Sequence, residues 1–130
     1  MKILIKASGD IIEDQDAMGL IGQIAFIHEV TVIHGMGTQF SKALDDAGVP
    51  YKFKGGNRIT NLKGLKIGLK VCQETRKKLK IPAKIISPIK WDGDKIVNVN
   101  ADEIFRLLVG SYDFGIIFTK SSRPRKLLKP

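Results

Sequence analysis

Two segments of the chain place glycine between an apolar run and a helix-like run, an arrangement that can open backbone N–H groups toward an anion. The first is Lys6-Ala7-Ser8-Gly9, and the second is Gly35-Met36-Gly37. Glycine lacks the Cβ that keeps a ligand away from the backbone, and the first N–H groups of a helix favour negative charge. A tight turn that only saves space would use the same residues, so both interpretations stay open for Gly35 and Gly37.

Lys6 adds a positive charge beside the first glycine turn. An ammonium group in this position can neutralise a phosphoryl group during its transfer, which is the electrostatic help that such chemistry requires. Open parallel sheets bind ligands at the C-terminal ends of their strands, and Lys6, Ser8 and Gly9 fall at such an end. The alternative is an ordinary lysine at a sheet edge.

The composition favours one globular domain with anionic partners. The 130 residues are 43% hydrophobic and 27% charged, and 22 Lys and Arg against 13 Asp and Glu give a net charge of +9. Phosphorylated metabolites, carboxylates and nucleic acid all suit this charge, which does not choose among them.

Several classes of site are disfavoured. The single cysteine, Cys72, excludes an internal disulfide framework and is expected as a small buried hydrophobe on a helix. His28 and His34 have no set of cysteines or carboxylates around them, and Asp92 and Asp94 fail the calcium-loop pattern, so we expect no metal site. Neither a signal peptide nor a run of about 20 apolar residues is present, which predicts a cytoplasmic protein without a membrane partner.

The hydrophobic pattern predicts alternating strands and helices. This order favours an α/β fold, a three-layer α/β/α sandwich with a mostly parallel sheet of about four or five strands. The predicted elements are a strand over 2–7, a helix over 14–29, a strand over 30–35, a helix over 38–48, a loop with a short extended piece over 49–61, a helix over 62–80, a strand over 83–89, a tight turn at 92–93 with a short strand after it, a helix over 100–111 and a strand over 113–120.

Two helices carry more detailed predictions. In the 62–80 helix, Gly64 and Gly68 could allow a neighbouring element to approach closely, and the apolar face is predicted to comprise Leu62, Leu65, Leu69, Cys72 and Leu79. In the 100–111 helix, Asn100 is predicted to cap the N-terminus, with Glu103 completing a capping box.

Four segments, taken in order, resemble the amino acid kinase family, most closely its acetylglutamate kinases. They are "ILIKASG", "VIHGMGTQF", "GNRIT" and "ISPIKWDGDKIVNVNAD". They are similar to the family's first-strand lysine and glycine turn, its His-Gly-Gly-Gly turn, its Gly-x-Arg-Val/Ile-Thr segment and its stretch ending Asn-x-Asn-Ala-Asp. The last two are the more specific.

The resemblance implies two catalytic residues. Lys6 would stabilise the transferring phosphoryl group, and Asp102 would organise the catalytic lysines. It also implies that Gly9, Gly35 and Gly37 let the substrate approach the backbone. Met36 departs from the family pattern, because it replaces the middle glycine, and would narrow the pocket or change its backbone geometry.

Two further residues would bind the substrate. Arg58 would pair with a carboxylate, a task that suits its planar fork, and Asn98 would hold the amino-acid end. Without the resemblance, Arg58 is also consistent with a solvated loop charge, and Asn98 and Asp102 with turn and helix-start residues.

The resemblance also implies missing parts, because family members are roughly twice as long. The segment with a hairpin over the substrate would be absent between residues 80 and 81, and the nucleotide-binding half would be absent after residue 120. At 119–120 the chain has Thr-Lys where the family has Thr-Asp. Residues 1–120 would therefore form a kinase-like substrate-binding half, and 121–130 a basic tail.

Three functional hypotheses follow. The first is a reduced kinase-like protein that binds a small acidic, acetylglutamate-like ligand without autonomous kinase activity and needs no cofactor. The second is a phosphotransferase using Mg-ATP, completed by a partner chain or a homodimer. The third is a module that binds nucleic acid or phosphate through basic side chains, comprising Lys63, Lys66, Lys70, Lys77, Arg123, Arg125, Lys126 and Lys129.

Overall fold

The structure is a computed structural model that describes residues 1–55, 57–92 and 95–120, with the backbone alone at 90–92 and 95–98. The basic tail and the turn at 93–94 lie outside these residues. The chain forms β1 (Lys2–Ala7), α1 (Gly9–Ile12), α2 (Gln15–Ile27), β2 (Glu29–His34), α3 (Gly37–Asp46), β3 (Tyr51–Lys54), β4 (Asn57–Thr60), α4 (Leu62–Lys77), β5 (Lys84–Ile86), β6 (Ile89–Asp92), β7 (Lys95–Asn98), α5 (Ala101–Leu108), a 3-10 turn (Val109–Ser111) and β8 (Phe114–Phe118).

A four-stranded parallel sheet organises the fold, in the order β5-β2-β1-β8. The two central strands, β1 and β2, are buried on both faces, as expected for parallel strands covered by helices. The prediction of an α/β fold with a mostly parallel sheet is therefore confirmed. Two antiparallel hairpins, β3-β4 and β6-β7, lie outside the sheet.

Alternation along β1 sends side chains to opposite faces of the sheet. Ile3 and Ile5 pack with α1 and α2 on one face, whereas Leu4 packs with α5 on the other. Lys6 has the parity of Leu4, so it leaves the sheet on the face that α5 covers. A helix N-terminus on that face can therefore meet the lysine.

A third apolar cluster joins α3 to α4 and includes Phe40, Leu44, Val71 and Cys72. Cys72 is buried there, as predicted. A Cβ added at Gly68 would lie 2.7 Å from Cζ of Phe40, so this glycine does allow a close approach between helices.

Some local predictions were wrong. The chain after Ser8 forms the short helix α1, and 51–60 forms a hairpin rather than a loop with one extended piece. The strand predicted over 83–89 is split into β5 and the start of β6. Pro88 lies at the break, because proline has no N–H to donate to a ladder.

The side chains of α4 and α5 also differ from the expected pattern. The buried residues of α4 are Gly64, Gly68, Val71, Cys72 and Thr75, while Leu62 is 69% exposed. In α5, the side chain of Asn100 accepts a hydrogen bond from the Asp102 N–H, so the cap is confirmed. The capping box is not formed, because the Asn100 N–H donates to Oδ1 of Asn57 instead of to Glu103.

Candidate functional site

A cavity of about 170 Å³ lies at the C-terminal ends of β1 and β2. This is smaller than the roughly 300–1,000 Å³ of pockets for drug-sized molecules, so its size suits a small metabolite. The wall comprises Lys6, Ser8, Gly9, Gly35, Met36, Gly37, Thr38, Phe53, Arg58, Pro88, Val99, Asn100, Ala101 and Asp102. The structure thus brings together six of the seven predicted site residues. Asn98 ends β7, and its side chain lies outside the described residues.

Lys6 and Asp102 form an ion pair across the cavity wall. Nζ of Lys6 lies 3.1 Å from Oδ1 of Asp102, and the two side chains are only 11% and 14% exposed. Water screens such a pair weakly, so the carboxylate holds the ammonium group in a fixed position. The chemical consequence is a positioned cation at the end of the central strand.

Arg58 lies opposite, on the strand β4 of the hairpin. Its guanidinium carbon is 4.7 Å from the ring centroid of Phe40, 5.1 Å from that of Tyr51 and 4.8 Å from that of Phe53. Nη2 donates to Oγ of Ser41 at 2.7 Å, which fixes the plane of the group. Burial lowers the pKa of Arg58 from its usual value.

The charge of Arg58 has no carboxylate partner within ion-pair distance in the described part of the chain. The side chain is buried, and its Nε makes no hydrogen bond to another described residue. A buried, unpaired cation is costly in a protein interior. An anion that entered this cavity would therefore gain an unusually available partner.

Two helices begin at the cavity wall, and they differ in how their N-termini are capped. The N-cap of α3 is Met36, which supplies no side-chain cap. Helix α5 begins at Ala101, one residue before Asp102, and the side chain of its N-cap, Asn100, accepts from the Asp102 N–H. The first N–H groups of a helix lack intrahelical acceptors and carry partial positive charge. The wall therefore combines the Arg58 guanidinium, a Lys6 ammonium that Asp102 already partners, and the uncapped N-terminus of α3. Arg58 and the α3 N-terminus are the groups that favour an anionic ligand.

The three predicted glycines have different surroundings. A Cβ added at Gly35 would lie 3.1 Å from the Gly9 nitrogen and 3.1 Å from Cα of Ser8, so this glycine lets the two turns pack backbone to backbone. A Cβ at Gly37 would meet nothing within 4 Å, and the nearest atoms to one at Gly9 belong to the side chain of Gln39. Packing thus explains Gly35 whether or not a ligand binds, whereas space at Gly37 is open.

Met36 packs into the core beside the cavity. Its side chain belongs to the apolar cluster of α3 and α4 and is buried there with Phe40 and Leu44. The residue that the resemblance aligns with a middle glycine therefore anchors the turn in the core, and it also lines the cavity.

His34 is a residue whose contacts sequence reasoning missed. It is fully buried at the end of β2, with Nδ1 3.2 Å from the Gly35 carbonyl oxygen and Nε2 2.8 Å from Oγ of Ser87. The same Oγ accepts a hydrogen bond from Nη1 of Arg76 at 3.1 Å. Burial is the main cause that lowers the pKa of His34, and the nearby charge of Arg76 lowers it further.

Other kinds of site find less support in the described ranges. They contain no group of three or more His, Cys, Asp or Glu residues placed to hold a metal ion. Within the same ranges, no helix has both the length and the apolar composition needed to cross a membrane. The lysines of the predicted basic face on α4, at 63, 66, 70 and 77, are exposed.

Comparison with curated proteins shows similarity to acetylglutamate kinases. One from Solibacter usitatus (strain Ellin6076) is 36% identical over 76 residues, which cover 55% of this chain and 30% of that protein. One from Methanosphaera stadtmanae is 28% identical over 109 residues, which cover 80% of this chain and 35% of that protein. The chain thus spans about a third of the length of these relatives, and it has an amino acid kinase-like relationship to them.

Comparison with solved structures supports the fold alone. The crystal structure of smu.665 from Streptococcus mutans UA159 superposes with a TM-score of 0.67, covering 91% of this chain and 72% of that one, at 15% identity. No protein-family model matches the chain.

Proposed function

We propose that the chain binds a small acidic, amino-acid-like ligand in the cavity between Lys6 and Arg58. Curated relatives are named acetylglutamate kinases, so N-acetylglutamate is the reference ligand for this proposal. The observation that carries the proposal is the buried guanidinium of Arg58, which has no carboxylate partner among the described residues. Binding without autonomous phosphoryl transfer is the form that we favour.

The surroundings of Arg58 support a carboxylate as the anionic group. Three aromatic rings surround the guanidinium, and Ser41 holds it through a single nitrogen. Such a group is already ordered before the ligand arrives, so binding costs little side-chain entropy. The charge of Arg58 attracts a carboxylate and a tetrahedral anion alike. The planar guanidinium matches the shape of a planar carboxylate better than that of a tetrahedral anion.

Calorimetric titration of the chain with N-acetylglutamate, glutamate and Mg-ATP, each alone, tests the proposal. We expect N-acetylglutamate to bind and Arg58→Ala to weaken its binding by about 10- to 100-fold, the effect of losing a hydrogen bond to a charged group. Arg58→Lys keeps the charge without the fork and should recover part of the loss. Absence of binding by all three compounds would refute the proposed function.

The matched control is Arg106→Ala, which removes an exposed arginine of α5. Its affinity for N-acetylglutamate should equal that of the wild type. Thermal unfolding of each variant, followed by circular dichroism, shows which variants are folded at the titration temperature. An equal loss of affinity in both variants would mean that net charge, rather than the cavity, attracts the ligand.

A second candidate, favoured by the Lys6–Asp102 contact, is a phosphotransferase that a partner chain or a second copy completes. Lys6 would neutralise charge on a transferring phosphoryl group, and Asp102 would fix its ammonium in place. This candidate requires Mg-ATP to bind. A titration in which Mg-ATP binds, followed by measured ADP production with N-acetylglutamate, would favour it over ligand binding alone.

A third candidate, binding of nucleic acid or phosphate, uses the exposed lysines of α4. Its affinity should fall steeply as salt is raised, because phosphate contacts release counterions. Fluorescence titration with a labelled oligonucleotide across a salt series separates it from the cavity ligand, whose contacts are buried.

A further inference from the structure

The hydrogen bonds of His34 assign its tautomer. The Gly35 carbonyl oxygen can only accept, so the proton of the ring must be on Nδ1. Nε2 is then an acceptor, and the hydroxyl of Ser87 donates to it. The Ser87 oxygen in turn accepts from Arg76, so each donor in the chain Arg76–Ser87–His34–Gly35 meets one acceptor.

This series of hydrogen bonds fixes the orientation of one peptide plane, between Gly35 and Met36. All described peptide bonds are trans, and in a trans peptide the C=O and the following N–H point in opposite directions. Because the Gly35 carbonyl points to the buried ring of His34, the N–H of Met36 points away from that ring. Gly35 and Met36 both line the cavity, so this peptide lies in the cavity wall.

We propose that His34 is a positioning residue for the cavity: it holds the Gly35–Met36 peptide so that the Met36 N–H donates to the anionic ligand. This inference rests on the proposed function, since it concerns the same cavity. His34 does not touch the ligand. Ser87 and Arg76 act one step further back, because they keep the proton of the ring on the nitrogen that faces Gly35.

The geometry favours positioning over simple packing. An apolar residue would fill the same buried space without the cost of a desolvated imidazole. The ring also joins two parts of the wall, because Ser87 precedes Pro88, a wall residue, and His34 precedes Gly35. A single side chain thus ties the turn after β2 to the connection after β5.

Two amide variants test the proposal. The asparagine amide of His34→Asn can place its N–H near the position of Nδ1, whereas the glutamine amide of His34→Gln reaches the position of Nε2. We expect His34→Asn to bind N-acetylglutamate within about threefold of the wild type and His34→Gln to lose about tenfold or more, as expected for one hydrogen bond to a charged group. Urea unfolding should show a similar loss of stability in both variants, so stability alone would not separate them.

Two NMR measurements on the wild-type protein test the same positioning role of His34 without any variant. The ¹⁵N shifts of the imidazole should identify Nδ1 as the protonated nitrogen, and titration with N-acetylglutamate should move the Met36 amide ¹H resonance strongly. A proton on Nε2, a Met36 amide that does not respond, or equal affinities of the two variants would each overturn the inference. If the wild type binds no N-acetylglutamate at all, the proposed function itself fails, which is a different result.

Discussion

Replacing Gly35 by alanine tests whether the two glycine turns need their close approach. The added Cβ would lie 3.1 Å from two backbone atoms of the β1–α1 turn, whereas unstrained carbon contacts lie at about 3.5–4.0 Å. Two hydrogen bonds hold the β1–α1 turn in place, so it cannot move away from the added Cβ without breaking one of them. The Gly35 N–H donates to the Ala7 carbonyl at 2.7 Å, and the side chain of Gln39 holds the Gly9 carbonyl at 2.9 Å.

The expected cost is that of overpacking a dense interior, about 1–3 kcal/mol in the free energy of unfolding. Gly37→Ala is the matched control, because its Cβ meets nothing within 4 Å and Gly37 begins α3. There alanine should leave stability unchanged or raise it by about 0.4–1 kcal/mol, since it restricts the unfolded chain. The same Cβ would stand in the cavity wall, so Gly37→Ala should weaken ligand binding without destabilising the fold.

Urea unfolding followed by circular dichroism measures both variants, with linear extrapolation to water. The slope of each transition should match that of the wild type, so that a shifted midpoint reports stability. A Gly35→Ala variant as stable as the wild type would refute the packing argument. Equal destabilisation by Gly37→Ala would show that glycine conformation, rather than contact distance, decides stability in this turn.

The remaining predictions concern the helix interface and pH. Gly68→Ala should destabilise the protein by about 1–3 kcal/mol, because its Cβ would lie 2.7 Å from the Phe40 ring. Gly19→Ala on α2, where the Cβ meets nothing within 4 Å, should be neutral or stabilising, and a similar loss in both would contradict the contact argument. His34 has a folded-state pKa below its usual 6.5, so the unfolded chain takes up the proton first. Its contribution to stability is complete above pH 6.5 and should fall below it by up to about 1.4 kcal/mol per pH unit. Urea midpoints from pH 5 to 8 measure the slope; a slope that survives in His34→Asn would assign it to another group.

The parallel sheet was predictable because β1 and β2 are short apolar runs separated by a helical pattern. The same reasoning placed Lys6, Gly9 and Gly35 at one edge, since parallel strands bring their C-terminal ends together. The four residues of α1 make about one turn of helix. So short a helix leaves no periodic signal, and it was missed. The hairpin β3-β4 was missed although Tyr51-Lys52-Phe53-Lys54 alternates between apolar and polar residues. Each strand has only four residues, so the pattern predicted no more than a short extended piece.

Residues far apart in the chain set the limits of such predictions. In α4, leucine spacing suggested one face, but contact between Gly68 and Phe40 of α3 turned another face inward. The hydrogen bonds from Arg76 through Ser87 to His34 form only when α4, the connection after β5 and the end of β2 meet. No local sequence pattern encodes that meeting. The roles of Asp102, Arg58 and Asn98 stay predictions, although the first two line the cavity.

The position of β8 has a consequence for how the protein folds. Strand β1 pairs on one side with β2, which follows it closely, and on the other with β8, where Lys2 N–H reaches Asp113 across 111 residues. Closing so long a loop costs chain entropy before the contacts between β1 and β8 form. The β1–β8 pairing is therefore slow relative to the β1–β2 pairing. The helix that carries Asp102, α5, precedes β8 with only the 3-10 turn and two residues between them. A chain that has assembled only its first half therefore holds Lys6 at the end of a formed strand with its counter-ion still undocked, and the cavity wall is completed only when α5 docks.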